Sequence, residues 1–175
     1  MSLEDTYSDF EYLNSLPGRK LVLKGNHDYW WTTLAKMKKY LEENNFDKID
    51  FLYNNSYIYE DKIICGTRGW EAGANSEDRK ILRRENLRLE MSLEDGVKKY
   101  GDDKEIIVCM HYPPFSESDE LEYDLIATMK KYNVKKCIFG HIHGGTNVET
   151  IQGNVDGIEF KLVSSDFLDF KLIKI

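Results

Sequence analysis

The chain holds four histidines, His27, His111, His141 and His143, and each lies just beyond a short apolar run. Leu21-Val22-Leu23 leads into Gly25-Asn26-His27-Asp28. The run from Ile106 to Met110 leads into His111-Tyr112-Pro113-Pro114, and Cys137-Ile138-Phe139 leads into Gly140-His141-Ile142-His143-Gly144-Gly145. Imidazole nitrogen and carboxamide oxygen suit borderline divalent metals such as Mn, Fe, Ni and Zn. Any one of these histidines alone is explained as well by a satisfied surface or core side chain as by a ligand. The four together are not, because ligands in open α/β sheets bind beyond the carboxyl ends of the strands, where the loops converge. Gly25, Gly140, Gly144 and Gly145 let the backbone turn sharply and approach a metal or anion closely, although turn duty alone accounts for each. Pro113-Pro114 stiffens the loop after His111, as it would stiffen any bend.

The elements that position these groups follow from periodicity and punctuation. Lys20 to Lys24 reads as a short strand. Trp30, Leu34, Met37 and Leu41 recur at helical spacing on one face. Between residues 49 and 66, the runs Ile49–Tyr53, Tyr57–Tyr59 and Ile63–Cys65 are divided by Asn54-Asn55 and Glu60-Asp61, which predicts two or three tightly joined strands. Residues 77–99 carry a Leu82, Leu89, Leu93 and Val97 stripe flanked by Arg79, Lys80, Arg83, Arg84 and Arg88, with Asn75 and Asp78 as a start and Gly101 as a stop. Charge runs of this kind usually form a solvated helix face. Glu105 to Met110 is a buried strand, Ser116 and Asp119 resemble a capping box for a helix through Leu121, Leu125, Met129 and Tyr132, and Cys137–Phe139 is another strand. The tail, 146–175, alternates apolar and polar residues around Gly153-Asn154 and Asp156-Gly157 and reads as antiparallel β-structure. Arg68 and Trp70 follow a strand and could meet a phosphate or base, but a structural Trp beside a surface Arg is the favoured reading.

Composition narrows the class. The chain has 175 residues, 41% hydrophobic and 31% charged, with a net charge of −7. That balance discourages non-specific tracking along nucleic acid, which needs Lys and Arg opposite phosphates, although a local basic patch stays open. The longest wholly apolar run is five residues, Ile106 to Met110, against the roughly 20 a membrane helix needs. Cys65, Cys109 and Cys137 are odd in number and far apart, and they read as buried thiols of a reducing compartment. With no apolar segment in the first ten residues, a cytoplasmic location is expected. No repeat, linker or composition shift divides the chain, so residues 1–175 are expected to form one domain of mixed strand–helix alternation.

Gly25-Asn26-His27-Asp28, the lone His111 and Gly140-His141-Ile142-His143, in that order, resemble the calcineurin-like metallophosphoesterases. The resemblance implies a four-layer α-β-β-α sandwich of two mixed sheets enclosing a pair of divalent metals, of which Mn, Fe, Zn and Ni stay open. By the same likeness Asn26, His111 and His141 would ligate one metal and His143 the other. His27 would face the phosphoryl group as transition-state stabiliser or general acid, with Asp28 orienting its ring. The implied reaction is hydrolysis of a small phosphate mono- or diester by a metal-activated hydroxide. Two earlier family motifs are missing: there is no Asp-x-His, and Gly101-Asp102, the only Gly-Asp pair, lies after Asn26 and before a strand. The chain is therefore expected to be an amino-terminally incomplete, carboxyl-terminal portion of such a domain, binding at most one metal, weakly, and hydrolysing little. Loss of inner strands should leave a sheet uncovered and favour self-association. The alternative is a non-catalytic binding module with a degenerate metal site. A metallo-nuclease would want a basic groove that the charge does not encourage.

Overall fold

The apolar runs of the sequence become strands of two separate sheets. The computed structural model describes residues 2–28, 31–70, 76–114, 122–144 and 152–175. A 3-10 turn (Glu4–Thr6) and α1 (Tyr7–Ser15) precede β1 (Lys20–Leu23), α2 (Leu34–Glu43), β2 (Ile49–Leu52), β3 (Tyr57–Tyr59) and β4 (Lys62–Thr67). Then come α3 (Ser76–Tyr100), β5 (Glu105–Met110), α4 (Glu122–Lys131), β6 (Lys136–Phe139), β7 (Gly153–Val155) and β8 (Ile158–Leu162). Strands β1 and β2 pair in parallel, Leu23 opposite Leu52. The other six form one sheet in the order β3-β4-β5-β6-β8-β7, parallel from β4 to β8 and antiparallel at both outer strands.

Each sheet has its own apolar cluster and its own helices. Phe10 of α1 and Met37 and Leu41 of α2 pack with Trp31, Phe46, Ile49 and Phe51 over the small sheet. Phe10 meets Trp31 and Phe51 edge to face, with centroids 5.5 and 5.9 Å apart, pairs worth about 0.5–1.5 kcal/mol beyond their area. Over the large sheet, Leu89 and Leu93 of α3 and Leu125, Ile126 and Met129 of α4 close on Ile63, Val108, Cys137 and Phe160. The result is a mixed α/β fold of two sheets, each with its own helices, consistent with what the resemblance implies.

The two halves meet where β4 passes β2. A Cβ on Gly66 would run into the Cys109 carbonyl oxygen and come within 2.9 Å of Leu52 Cδ2. Glycine is the residue that permits this approach. Ser92 of α3 binds the same place: its Oγ accepts the Gly66 N–H at 3.0 Å and donates to the Asn55 carbonyl at 2.6 Å.

Several expectations need adjusting. Residues 4–15, for which the sequence suggests no element, are helical; the polar face hides the signal, since Phe10 is the one residue of α1 that is buried. The hairpin around Asp156-Gly157 forms as read, but β8 also pairs in parallel with β6, and residues beyond Leu162 make turns with no strand. In α3 the predicted stripe is buried at Leu82, Leu89 and Leu93, with Glu85 and Ser92 buried beside it. Trp30, Asn75, Ser116, Asp119, Leu121 and Gly145 lie outside the described residues.

Candidate functional site

Parallel pairing places the ends of β4, β5 and β6 side by side, because Thr67 stands opposite Met110 and Met110 opposite Phe139. The loops leave those ends tied to one another. His111 and Tyr112 donate their N–H groups to the Arg68 carbonyl at 3.1 and 2.9 Å, and Gly140 N–H donates to the His111 carbonyl at 3.1 Å. Beyond Gly140 the backbone enters the left-handed region at His141, φ 71°. A non-glycine residue there is uncommon. That turn sets the His141 ring 4.9 Å from the His111 ring and 4.2 Å from Tyr112. From the small sheet, the loop after β1 delivers Asn26. Its neighbour Gly25 lies so close beneath His111 that a Cβ would come within 2.9 Å of the ring.

Asn26, His111 and His141 thus converge. Asn26 Oδ1 lies 2.8 Å from His111 Nε2, and His141 Nδ1 lies 3.1 Å from that same nitrogen. One ring nitrogen either donates or accepts, so with Oδ1 facing it His111 Nε2 cannot satisfy both contacts as ordinary hydrogen bonds. A shared cation satisfies all three atoms at once. Burial pushes the His111 pKa down to about 4, with His141, Arg68, His143 and His27 adding like-charge repulsion. The ring is therefore neutral near pH 7, the form that coordinates a metal. The donor set fits one borderline divalent ion, held by three uncharged groups.

The remaining sequence-predicted residues are placed differently. His143 reaches Asp166 rather than the trio: its Nδ1 lies 3.1 Å from Asp166 Oδ1, and Asp166 Oδ2 accepts the Gly144 N–H at 2.8 Å. A carboxylate on one imidazole nitrogen fixes the tautomer and leaves the other nitrogen for a ligand, the usual arrangement behind metal-bound histidines. The Asp166 carboxyl sits below its ordinary range, chiefly through the Gly144 N–H. His27 is exposed. Asp28 Oδ2 accepts the Gly25 N–H at 2.9 Å, so it braces the turn that carries Asn26. Among the described residues no hydrogen bond joins Asp28 to His27.

Two groups went unread or misread in the sequence. Asp166 sits in a tail with no motif, and nothing in its neighbourhood marks it as the partner of a histidine 23 positions away. Arg68 is no surface residue: its side chain is 11% exposed and lies 3.6 Å from Glu85, a buried carboxylate of α3. Glu85 also takes the Thr67 hydroxyl at 2.6 Å and Arg88 at 2.5 Å. Arg79, Lys80, Arg83 and Arg84 are exposed, as a solvated face requires, whereas Arg88 turns inward. Arg68 stacks over Trp70 with 4.9 Å to the ring centroid, and Trp70 continues to Tyr112 at 5.8 Å. Burial raises the Cys65 and Cys109 thiols to about 12 and Cys137 well above its ordinary value.

Among the described residues, no three His, Cys, Asp or Glu side chains converge as a metal-holding group. The trio brings two imidazoles and a carboxamide together. No described helix is long and apolar enough to cross a membrane. Comparison with curated proteins finds no match, and neither does comparison with solved structures. A family model does match, calcineurin-like phosphoesterase, over residues 2–145. That span takes in the loops of Asn26, His111 and His141 and most of both sheets. By that match the chain carries a phosphoesterase-type domain and belongs to the calcineurin-like phosphoesterase family.

Proposed function

We propose that this site hydrolyses a small phosphate mono- or diester, using a divalent cation held by Asn26, His111 and His141. The observation that carries the reading is the mutual spacing of these three donors, 2.8 and 3.1 Å around His111 Nε2. A bound cation supplies polarised phosphoryl oxygens and an acidified water. The chain's own groups do the rest. His27, exposed on the turn beside Asn26, stabilises charge on the phosphoryl group and protonates the leaving oxygen. Asp28 holds that turn through the Gly25 N–H. His143, with its tautomer fixed by Asp166, offers a ligand for a second cation. Cys65 and Cys137, buried free thiols, support a reducing, cytoplasmic setting.

Three neutral donors do not offset the charge of a dication, so the chain alone binds one ion weakly and turns over slowly. The second reading, a binding module with a degenerate site, is favoured by the lack of a third His, Cys, Asp or Glu in the trio among the described residues. Manganese titration followed by electron paramagnetic resonance tests the site. One weak equivalent is expected, weakened about tenfold or more in Asn26→Ala or His141→Ala, as loss of a ligand-shell group does. Two tightly bound ions, or unchanged binding in both variants, would overturn the assignment. With Mn²⁺ and a chromogenic phosphodiester, His27→Ala should lose about 100-fold of whatever turnover the parent has, the scale of a general acid. Equal turnover removes His27 from the role, and binding without turnover selects the module.

A further inference from the structure

One strand across from His111 lies a cleft of about 390 Å³ lined by side chains from both sheets and α3. Its walls carry Lys24, Arg68 and Arg88, and Glu85 is the one acid among the described lining residues. Glu85 is fully buried and already shared by Thr67, Arg88 and Arg68. Lys24 Nζ donates to the Trp31 carbonyl at 2.8 Å and lies 6.0 Å from the Tyr53 ring centroid. Neither group carries a negative charge. Asp28, outside the described lining, attracts Lys24 while accepting the Gly25 N–H.

Among the described residues, the three cations of the lining, Lys24, Arg68 and Arg88, outnumber its carboxylate Glu85 even with Asp28 counted beyond it. Arg68 and Arg88 are 11% and 34% exposed, so water screens that excess poorly. Like charges drawn out of water are costly unless an anion joins them, and narrow low-dielectric walls focus their field on whatever enters. Guanidinium forks and an ammonium group are the side chains that hold phosphate oxygens. The chain links the cleft's lining residues to the loops that carry Asn26 and His111. Lys24 directly precedes Gly25-Asn26, and the Arg68 carbonyl holds the His111 and Tyr112 amides.

We infer that this cleft is an anion subsite that takes a second, non-reacting phosphate of the substrate, so that the substrate class is a small ester bearing two phosphate groups. The word substrate rests on the phosphoesterase reading; the anion site itself does not. The experiment titrates the metal-free chain with inorganic phosphate at constant ionic strength and follows backbone and arginine side-chain NMR signals. Saturable shifts are expected at Thr67, Arg68 and Arg88. The Lys24→Gln/Arg88→Gln variant should bind about tenfold more weakly or worse, the equivalent of one lost charge-assisted contact. The charge-keeping Lys24→Arg/Arg88→Lys variant should bind within about threefold of the parent. Should the double glutamine variant unfold, Lys24→Gln alone, which leaves the buried Glu85 its partners, gives the reading. Shifts that never saturate, or shifts centred on His111 and His141 that survive loss of Lys24 and Arg88, overturn the proposal. Failure of hydrolysis with phosphate still seated in the cleft sinks the phosphoesterase reading and leaves the anion site standing.

Discussion

His111 is the residue on which the site turns, and Gly25 is what lets it sit there. A Cβ at position 25 would lie 2.9 Å from His111 Cε1, 3.0 Å from Nδ1 and 3.3 Å from Nε2. Backbone on one side and a ring on the other leave the ring to move. Gly25→Ala should therefore cost only about 1 kcal/mol of stability, at the low end for overpacking. It should weaken Mn²⁺ binding about tenfold, since misplacing one donor disorders the whole set. Urea unfolding and the manganese titration read the two effects separately, and unchanged affinity would show that His111 is not a ligand. At this scale the motifs were legible in the sequence because a histidine after an apolar run has few innocent explanations when three loops repeat the pattern. Asp166 and the inward turn of Arg68 were not legible. Each depends on a partner supplied by a distant element, His143 in one case and Glu85 in the other.

Elements were legible where periodicity had one cause. The runs ending at Met110 and Phe139 are strands with parallel neighbours on both sides and largely buried faces, whereas the run ending at Leu23 pairs with β2 and leaves Leu21 exposed. Helix α1 escaped because it fastens itself with a single buried aromatic. Helix α3 was found, but its buried polar face was not, because Ser92 and Asp95 serve neighbours remote in sequence. Asp95 Oδ2 accepts from Ser56 N and Oγ at 2.8 and 2.7 Å and from Lys99 Nζ at 2.7 Å. Burial works against ionisation at Asp95, but Lys99 and Ser56 outweigh it and hold the carboxyl below its ordinary range. A lowered folded pKa means the unfolded chain binds the proton more readily. The stabilisation is thus complete above the ordinary value of 3.8 and is lost as pH falls through the lower folded value. Asp95→Asn should lose about 1 kcal/mol at pH 7, and the difference should vanish in strong acid. Urea midpoints across pH check this; a difference that persists unchanged below pH about 3 would exclude the ionised carboxylate as its source.

Across the whole molecule, the small sheet is the exposed flank. Among the described residues β1 pairs only with β2, and Leu21 on β1 is exposed. An open strand edge beside an exposed leucine is a template for another strand. We expect the chain to self-associate through this edge, with Leu21→Lys shifting it toward monomer. Light scattering over a concentration series decides, and a clean monomer of the parent at high concentration counts against the idea. The division of the apolar residues into two clusters was not legible in the sequence. Hydrophobic counts do not say which sheet a residue will serve.

That division bears on how the protein comes apart. Asn26 hangs from the small sheet, and His111 and His141 from the large one. An ion gripped by all three is a rivet through two plates, and its binding free energy adds to the cohesion between them. Without the rivet, each plate keeps its own core, and the close approach of Gly66 to Leu52 and the Ser92 bond to the Asn55 carbonyl still join them. With it, loosening either plate means letting go of the ion. On the proposed metal assignment, occupancy of the site should make the two plates melt more nearly as one unit.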